Sequence, residues 1–333
     1  MVCRVSSFRV LTVLAAIVGA LTLPATSSPA AVACPAMDPS LTTDVVFRNS
    51  GMKEVSGIQS SLDHPGVLWV IQDSGNGSYL YAFDMAGSIL ATYFLDGAKN
   101  VDWEAIALDN RDGTDLLYIG DIGDNPANRD GIQRPTPALF VLPEPAISVT
   151  QSPPVSATLT DATKYPFRYV DQADRSELAL RDAESMLVDP RTHNVFVFLK
   201  DLRKVDGVAK VSRVFELKDQ DLHTGVLNHA VHLTDVIGAG DGVGTGPVAA
   251  DISRDGSWIV LKNYREGFLW HRGRSQSVTQ ALATLPVAPC RVEVDGSESI
   301  AFGYRDDVWT QFLSLREDPA GSPPLHVLQR AWV

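Results

Sequence analysis

The sequence predicts an all-β fold, specifically a β-propeller with five four-stranded blades. Three observations favour it: a short phrase recurs five times, strand-like segments separated by turn residues follow each recurrence, and helical periodicity is nearly absent. Short strands with regularly spaced turn signals are typical of a sandwich, a barrel or a propeller. Repeated units of four strands favour the propeller, because each unit buries its faces only against its neighbours.

The recurring phrase is a pair of small or acidic residues followed by an aliphatic residue. It occurs as Ser56-Gly57-Ile58, Glu104-Ala105-Ile106, Glu184-Ser185-Met186, Ala250-Asp251-Ile252 and Glu298-Ser299-Ile300. A turn and a stronger strand segment follow each phrase: GVLWVIQD, DLLYIGD, NVFVFLKD, SWIVLKN and DVWTQFLSL. We interpret the phrase as the start of the innermost strand of a blade, and the stronger segment as its second strand.

The last unit contains only three strand-like segments. Residues 44–48 near the N-terminus form a strand without partners of its own, so we expect this strand to complete the last blade, close the ring and remove an exposed edge. The second and third phrases are separated by a longer stretch that includes QSPPVSATLTDA. We interpret that stretch as a surface insertion, and a sixth blade hidden in it is the alternative.

Residues 1–33 indicate a signal peptide. Arg4 and Arg9 precede the apolar run VLTVLAAIVGALTL, and Ala31-Val32-Ala33 matches the cleavage pattern of such peptides. The run is short for a membrane span, and no other segment is apolar enough for one. We therefore expect a secreted chain that consists of one domain, residues 34–333, with lipoprotein anchoring at Cys34 as the alternative.

The charge and the cysteines restrict the partners and the compartment. Without the signal peptide, 26 basic side chains face 40 acidic ones, and this acidic balance disfavours nucleic acid as a partner. It is compatible with bound cations or simply with solubility, and we expect a monomer. Two cysteines remain, Cys34 and Cys290, which we predict to pair in an oxidising compartment. Two free thiols are the alternative.

Carboxylates from different blades are expected to meet at one mouth of the central channel, because the end of the second strand lies beside the start of the innermost strand. Asp102 and Glu104 share one face of a strand, as do Asp182 and Glu184. Crowded carboxylates resist ionisation unless a positive charge lies among them. Ca²⁺ takes six to eight oxygen ligands, so we predict a calcium site. The predicted ligands are Asp102, Glu104, Asp121, Asp124 and Asn125.

Two questions stay open at this mouth. The same acids would also serve as turn caps that accept backbone N–H groups. Basic residues are expected beside them, where they would contact an anionic substrate or form a solvated rim: Lys200, Lys262, Arg265 and Arg129.

Several segments resemble a group of secreted bacterial β-propeller proteins with phytase-like, or esterase-like phytase, domains. The resemblance runs from about Val55 to Phe302, and its most specific parts are Asp102-Trp103-Glu104, GDIGDN at 120–125 and Asp182-Ala183-Glu184. It implies a propeller with a site at the channel mouth. The related alkaline phytases have six blades, bind several Ca²⁺ ions and cleave phosphomonoesters with metal-activated water. This sequence differs in having five units and fewer basic residues at the mouth.

The residues and the resemblance together predict an exported hydrolase of a small anionic or ester substrate. A divalent cation would polarise the substrate and lower the pKa of a bound water. Glu184 or Glu298 would act as general base. The alternatives are a non-catalytic binding propeller at the cell envelope, in which Ca²⁺ or turn networks serve only stability, and a lactonase-like hydrolase.

Overall fold

The fold is all-β, as the sequence predicts, and strands make up about half of the residues that the structure describes. The computed structural model describes residues 34–47, 51–124, 136–178, 182–205, 208–237, 246–284, 291–292, 294–305 and 307–331. The predicted signal peptide lies outside these residues. Among the described residues there are 21 strands and one short α-helix, and no helix has the length and apolar character needed to cross a membrane. Ala33–Val333 form one compact unit.

The strands follow one another in five groups, which match the five units of the sequence. The first strand, β1 (Thr43–Val46), precedes them. The first group is β2 (Val55–Ser60), β3 (Val67–Gln72), β4 (Tyr79–Asp84) and β5 (Ile89–Leu95). The second contains β6 (Trp103–Arg111), β7 (Thr114–Asp121), β8 (Ala138–Pro143), β9 (Val155–Leu159) and β10 (Thr163–Val170).

Three further groups follow along the chain. The third is β11 (Ala183–Val188), β12 (Val195–Val205), β13 (Val208–Leu217) and β14 (Asn228–Ile237). The fourth is β15 (Ala249–Ile252), β16 (Trp258–Lys262), β17 (Gly267–His271), the helix α1 (Val278–Leu282) and β18 (Arg291–Val292). The fifth is β19 (Ala301–Arg305), β20 (Val308–Leu315) and β21 (Pro324–Gln329).

The strands pair into four sheets, and not into the five separate blades that the sequence predicts. The first group forms a sheet that β9 extends by parallel pairing with β5, and the fourth and fifth groups each form a four-stranded sheet. The second and third groups share one sheet of eight strands in the order β11-β12-β13-β14-β10-β8-β7-β6. Its two edge strands, β6 and β11, are in contact, so this sheet curves until it is nearly closed, like a barrel.

The joined sheet results from β10, which spans two groups. Thr163 to Pro166 pair antiparallel with β8, whereas Phe167 to Val170 pair in parallel with β14. The segment QSPPVSATLTDA, predicted to be a surface insertion, therefore supplies the strand β9, and β10 follows it directly. Each of the two strands completes hydrogen bonds on a strand edge that would otherwise be unpaired.

The first strand of every group contacts the first strand of the next. β2 lies against β6, β6 against β11, β11 against β15, β15 against β19, and β19 against β2. These strands are largely buried. Five apolar clusters fill the spaces between neighbouring groups, and each is identified by one residue from either side: Trp69 with Phe140, Tyr118 with Phe215, Phe198 with Trp270, Leu269 with Phe312 and Leu313 with Phe83.

The N-terminal strand is bound to the last group and packs on the first. β1 pairs antiparallel with β21, from Thr43 opposite Val327 to Val46 opposite Pro324. Directly after β1, the side chain of Phe47 is fully buried and its ring stacks on Phe83 of β4, with 4.5 Å between the ring centroids. The strand predicted at residues 44–48 is thus observed as β1. This strand and Phe47 link the last group of strands to the first.

Replacing Phe47 by Ala should lower the free energy of unfolding by about 3–5 kcal/mol, the usual cost of removing a buried Phe. The reason is that the cavity would open between the first and last groups, among the buried side chains that pack around Phe47. Denaturant unfolding measures the change. The matched control is Val46→Ala, because Val46 is exposed, and it should change the value by less than about 0.5 kcal/mol. Equal losses for the two variants would contradict this packing.

Candidate metal centre

The recurring phrases converge on one small cavity between the first strands, which we call the central cavity. Its volume is about 10 Å³, roughly the room of one water molecule. It is lined by Ser56, Gly57, Ile58, Glu104, Ala105, Ile106, Glu184, Ala249, Ala250, Glu298, Ser299 and Ile300. Three glutamates from the second, third and fifth groups therefore face one space.

A β-bulge lies at three of the five recurring phrases. Trp103 pairs with Asp121 and Ala105 pairs with Gly120, so Glu104 is an extra residue in β6. The register shifts in the same way around Glu184 in β11 and around Ser56 in β2. A bulge leaves the extra residue out of the ladder and redirects its side chain. Glu104 and Glu184 thus occupy equivalent positions in neighbouring groups.

Five carboxylates form two overlapping groups beside the central cavity. Asp73, Asp102 and Glu104 each offer an oxygen within 4.8 Å of the others, and so do Glu104, Asp182 and Glu184. Glu104 belongs to both groups. Asp73 is half-buried and the other four are buried. These clustered acids could bind a metal ion.

The turn after β7 positions the first of these groups. Asp121 Oδ1 accepts a hydrogen bond from the backbone N–H of Asp102 (2.9 Å), and the backbone N–H groups of Ile122 and Gly123 donate to the carbonyl of Asp102 (3.2 Å each). The backbone N–H of Asp124 donates to Asp182 Oδ1 at 2.6 Å. The turn therefore connects the acids of β6 with those of β11.

The predicted ligands Asp121 and Asp124 accordingly lie beside the cluster and are buried. Among the described residues, neither belongs to the two groups of three carboxylates. Asp121 uses one oxygen to orient Asp102, which is the turn-capping role that the sequence left open. The predicted ligand Asn125 and the predicted basic residue Arg129 lie outside the described residues.

Gly123 leaves the space that the carboxylates occupy. A Cβ at this position would lie 2.7 Å from Asp102 Oδ2 and closer still to Glu104 Oε1. Real Cβ contacts are essentially never that short. Any larger residue would have to displace one of the two acids, so the glycine in GDIGDN has a packing reason.

Burial and mutual repulsion raise the pKa values of these acids. Burial raises the pKa of Glu104 well above its ordinary value, and the charges of Asp73 and Glu184 add to the rise. Burial also raises the pKa of Asp73 to about 8, with a further contribution from Asp102. Without a cation, Asp73 and Glu104 therefore resist ionisation more than ordinary carboxyl groups do.

Lys200 lies between the acids and the last group. Its Nζ donates a short hydrogen bond to Glu184 Oε1 and lies 3.9 Å from Glu298 Oε1. Although burial alone would lower it, Glu184 raises the pKa of Lys200 above its usual value. The hydroxyl of Tyr264 donates to Glu298 Oε1. The second oxygen of Glu184, Oε2, is buried and has no hydrogen-bond partner within the described part of the chain.

The other predicted basic residues are placed differently. Lys262 is 0% exposed, and its Nζ donates to the carbonyl of Ser297 and to Ser297 Oγ (2.9 Å). Burial lowers the pKa of Lys262 to about 8. Its side chain therefore points inward, toward the segment before β19, and is not accessible to a substrate in this structure. Arg265 is exposed, and its backbone N–H donates to Asn263 Oδ1.

Two further expectations differ in outcome. Asp251 is the acid of the fourth recurring phrase, and the position of that phrase in the repeat predicts it beside the other acids. Its carboxylate instead accepts hydrogen bonds from Gln59 Nε2 (2.7 Å) and from the backbone N–H of Phe302 (2.7 Å). It does not line the central cavity. Cys34 is disulfide-bonded. Its predicted partner, Cys290, lies outside the described residues, so that pairing stays a prediction.

Asp73 and Asp182 were not among the predicted metal ligands, although Asp182 was expected at the same channel mouth, and Tyr264 was not predicted at the site. Asp73 and Asp182 belong to the carboxylate groups, and Tyr264 bonds to Glu298. Asp73 ends the second strand of its group as Asp121 does, and Asp182 stands two residues before Glu184 as Asp102 does before Glu104. The repeat therefore carried a signal for both acids, whereas nothing in the repeat marks Tyr264.

Comparison with known proteins adds no assignment: no protein-family model and no curated protein matches the chain.

In a chelating buffer, the stability of the protein should fall as the pH rises from about 4 to about 8. Asp73 has a pKa of about 8 in the folded state and an ordinary value of 3.8 when unfolded. Between these two pH values the folded state binds more protons than the unfolded state. Protonation of Asp73 therefore stabilises the folded state fully below its unfolded pKa of 3.8, and this stabilisation is lost as the pH rises through the folded pKa of about 8. Urea unfolding across this range measures the slope.

The variant Asp73→Asn should show a shallower slope than the wild type, because its amide does not titrate. Asp161→Asn is the matched control, since Asp161 is exposed and shows no contact with the cluster. A slope that Asp73→Asn leaves unchanged would exclude Asp73 as the source of the effect.

Proposed function

We propose that the protein is an exported, Ca²⁺-dependent hydrolase of phosphoester or carboxylic ester substrates, built on a five-bladed β-propeller. The observation that carries the proposal is the position of Glu104, a buried carboxylate shared by two groups of three acids, with Lys200 next to the second group. Buried like charges are costly unless a cation lies among them.

The propeller is supported by the order of contacts between groups. The first strands contact one another in sequence, and β19 returns to β2. Each pair of neighbouring groups shares an apolar cluster, and β1 adds the missing outer strand to the fifth group. In this proposal β10 and β14 are the outermost strands of two neighbouring blades, and their pairing connects the outer edges of those blades.

Ca²⁺ is the cation that suits the donor set best. The five carboxylates of the two overlapping groups offer hard oxygen ligands, and Oε2 of Glu184, one of the five, has no hydrogen-bond partner among the described residues. Ca²⁺ accepts many oxygens in flexible geometry, whereas Mg²⁺ requires a near-ideal octahedron and retains several waters. Asp73, Asp102, Glu104, Asp182 and Glu184 would hold it. Bound there, Ca²⁺ would polarise a substrate oxygen and lower the pKa of a water.

The chain's own residues suit the remaining roles. Glu298 lines the central cavity and keeps 17% of its side chain exposed, so it is placed to accept a proton from a water. Tyr264 holds Glu298 by a hydrogen bond, and Lys200 is partly exposed between Glu184 and Glu298. The ammonium group of Lys200 would contact the anionic part of a substrate.

The small size of the central cavity favours a second candidate. About 10 Å³ accommodates an ion or a water but no organic substrate, which would have to bind at the rim. In a non-catalytic binding propeller, the same Ca²⁺ would only stabilise the ring. A lactonase-like enzyme differs from the first proposal only in its substrate.

Export is proposed from the signal pattern of residues 1–33, and membership of the phytase-like propeller group from the segments around Asp102-Trp103-Glu104 and Asp182-Ala183-Glu184. The bulges at Glu104 and Glu184 support a shared role for these two segments, because both redirect one glutamate to the same cavity.

Ca²⁺ should raise the melting temperature, and Glu104→Gln should remove most of the rise. At a Ca²⁺ concentration about 100-fold above Kd, binding stabilises the wild type by about 2.7 kcal/mol. The substitution keeps the side-chain size but removes the ligand that both groups share. Glu177→Gln is the control, because Glu177 is exposed, pairs with Arg168 and belongs to neither group of acids. The metal site is refuted if Ca²⁺ and chelator leave the wild type unchanged.

Gly123→Ala tests the same site without changing any charge. The added methyl group would push Glu104 or Asp102 out of position and weaken the Ca²⁺ effect. Gly273→Ala is its control, because a Cβ there would make an ordinary contact of 3.4 Å with Gln276.

Catalysis should appear on a panel of phosphoesters, carboxylic esters and lactones assayed with Ca²⁺ and with chelator. We expect Ca²⁺-dependent turnover of one class, and Glu298→Gln should lower kcat by about 10²–10⁴-fold, the range for loss of a general base. The variant should keep its Ca²⁺-dependent melting. Metal-dependent melting without turnover of any substrate would instead support the binding propeller.

A further inference from the structure

The carboxyl ends of the five first strands surround a second, larger cavity, which we call the carboxyl-end cavity. Its volume is about 400 Å³, within the range of small-molecule sites. Ser60, Asn110, Val188, Ile252 and Tyr304 line it, one from each first strand. It shares no lining residue with the central cavity, which lies at the amino ends of the same strands.

The charged side chains of this cavity are mostly acidic. Among the described residues, one arginine lines it together with five aspartates: Arg254, and Asp63, Asp109, Asp115, Asp251 and Asp307.

Both Nη atoms of Arg254 already donate to the protein, whereas its Nε is buried and has no hydrogen-bond partner in the described part of the chain. Its Nη2 donates to the carbonyl of Ser61 (2.6 Å), its Nη1 to Asp307 Oδ1 (3.3 Å), and its guanidinium lies 4.0 Å from the centre of the Tyr304 ring. Asp251 is satisfied by its hydrogen bonds. Three aspartates therefore remain to receive a ligand: Asp63, Asp109 and Asp115.

Asp109 carries the strongest indication of a ligand. It is 1% exposed, and its Oδ2 contacts Nδ1 of His193 at 2.8 Å. Its Oδ1 is buried and has no hydrogen-bond partner in the described part of the chain. A buried carboxylate oxygen without a donor costs stability, and a ligand that donates to it would remove this cost.

Asp63 and Asp115 form a second acidic position on the wall. Their carboxyl groups lie close together, and Asp115 Oδ1 accepts a hydrogen bond from Asn110 Nδ2 (2.5 Å). Two adjacent carboxyl groups favour a positive charge between them. Leu62, Leu108 and Ile252 add apolar surface to the same cavity.

We propose that the carboxyl-end cavity binds a small aliphatic amine, best a diamine, whose ammonium groups contact Asp109 and the Asp63–Asp115 pair. An ammonium group donates three hydrogen bonds and accepts none, which matches these acceptors. A short alkyl chain fits the apolar wall. A bare metal ion is disfavoured, because the groups of three acids close enough to hold one, among the described residues, lie at the other end of the first strands.

Calorimetric titration of the full chain with putrescine tests the site, and butanediol is the neutral probe of equal length. The buffer contains Ca²⁺ so that the metal centre is not a variable. We expect saturable binding of one putrescine per chain and no binding of the diol. No saturable binding of putrescine, or equal binding of the diol, would overturn the proposal.

Two substitutions assign the binding to this cavity. Asp109→Asn and Asp115→Asn should each weaken putrescine binding by about tenfold, since each removes one charged acceptor. Asp115 is partly exposed, so Asp115→Asn carries the test if Asp109→Asn does not fold. Asp112→Asn is the matched control, because Asp112 is exposed on the adjoining turn and does not line the cavity. Equal affinities of Asp115→Asn and Asp112→Asn would also overturn it.

Discussion

Repulsion among buried carboxylates at the amino ends of the first strands is the constraint on which the site depends. Contact between β6 and β11 brings Glu104 and Glu184 into one cavity, and a bulge in each strand turns the glutamate out of the ladder. Isolated, such a cluster is unfavourable, and the raised pKa of Glu104 reflects this cost. Lys200 offsets part of it, and the proposed Ca²⁺ would offset the rest.

The two ends of the same five strands carry different chemistry. The amino ends leave room for an ion and combine crowded acids with Lys200 and Tyr264. The carboxyl ends leave room for a small molecule and present separated acids on an apolar wall. The five first strands contact one another in sequence and run in one direction. Such an arrangement can hold two sites, because the starts of the strands meet at one end and their ends meet at the other.

The repeat and its strands were predictable because they depend on local patterns. Alternation and turn residues located the strands, and the lone strand near residue 45 could be assigned to the incomplete last group. The sharing of one sheet by two groups was not predictable, because β10 pairs with β8 and β14 over different residues of one strand. A local sequence pattern does not determine which of two unpaired strand edges another strand will pair with.

The candidate site was likewise predictable only in part. The sequence by itself determined that Asp102, Glu104, Asp182 and Glu184 recur in equivalent positions of a repeat, since a repeat is a local property. Only the tertiary structure decided that Asp73 joins Asp102 and Glu104, that Tyr264 holds Glu298, and that Lys262 is buried on Ser297. The physical reason is that side-chain direction and burial depend on neighbours far away in the chain, and packing between groups of strands sets those neighbours.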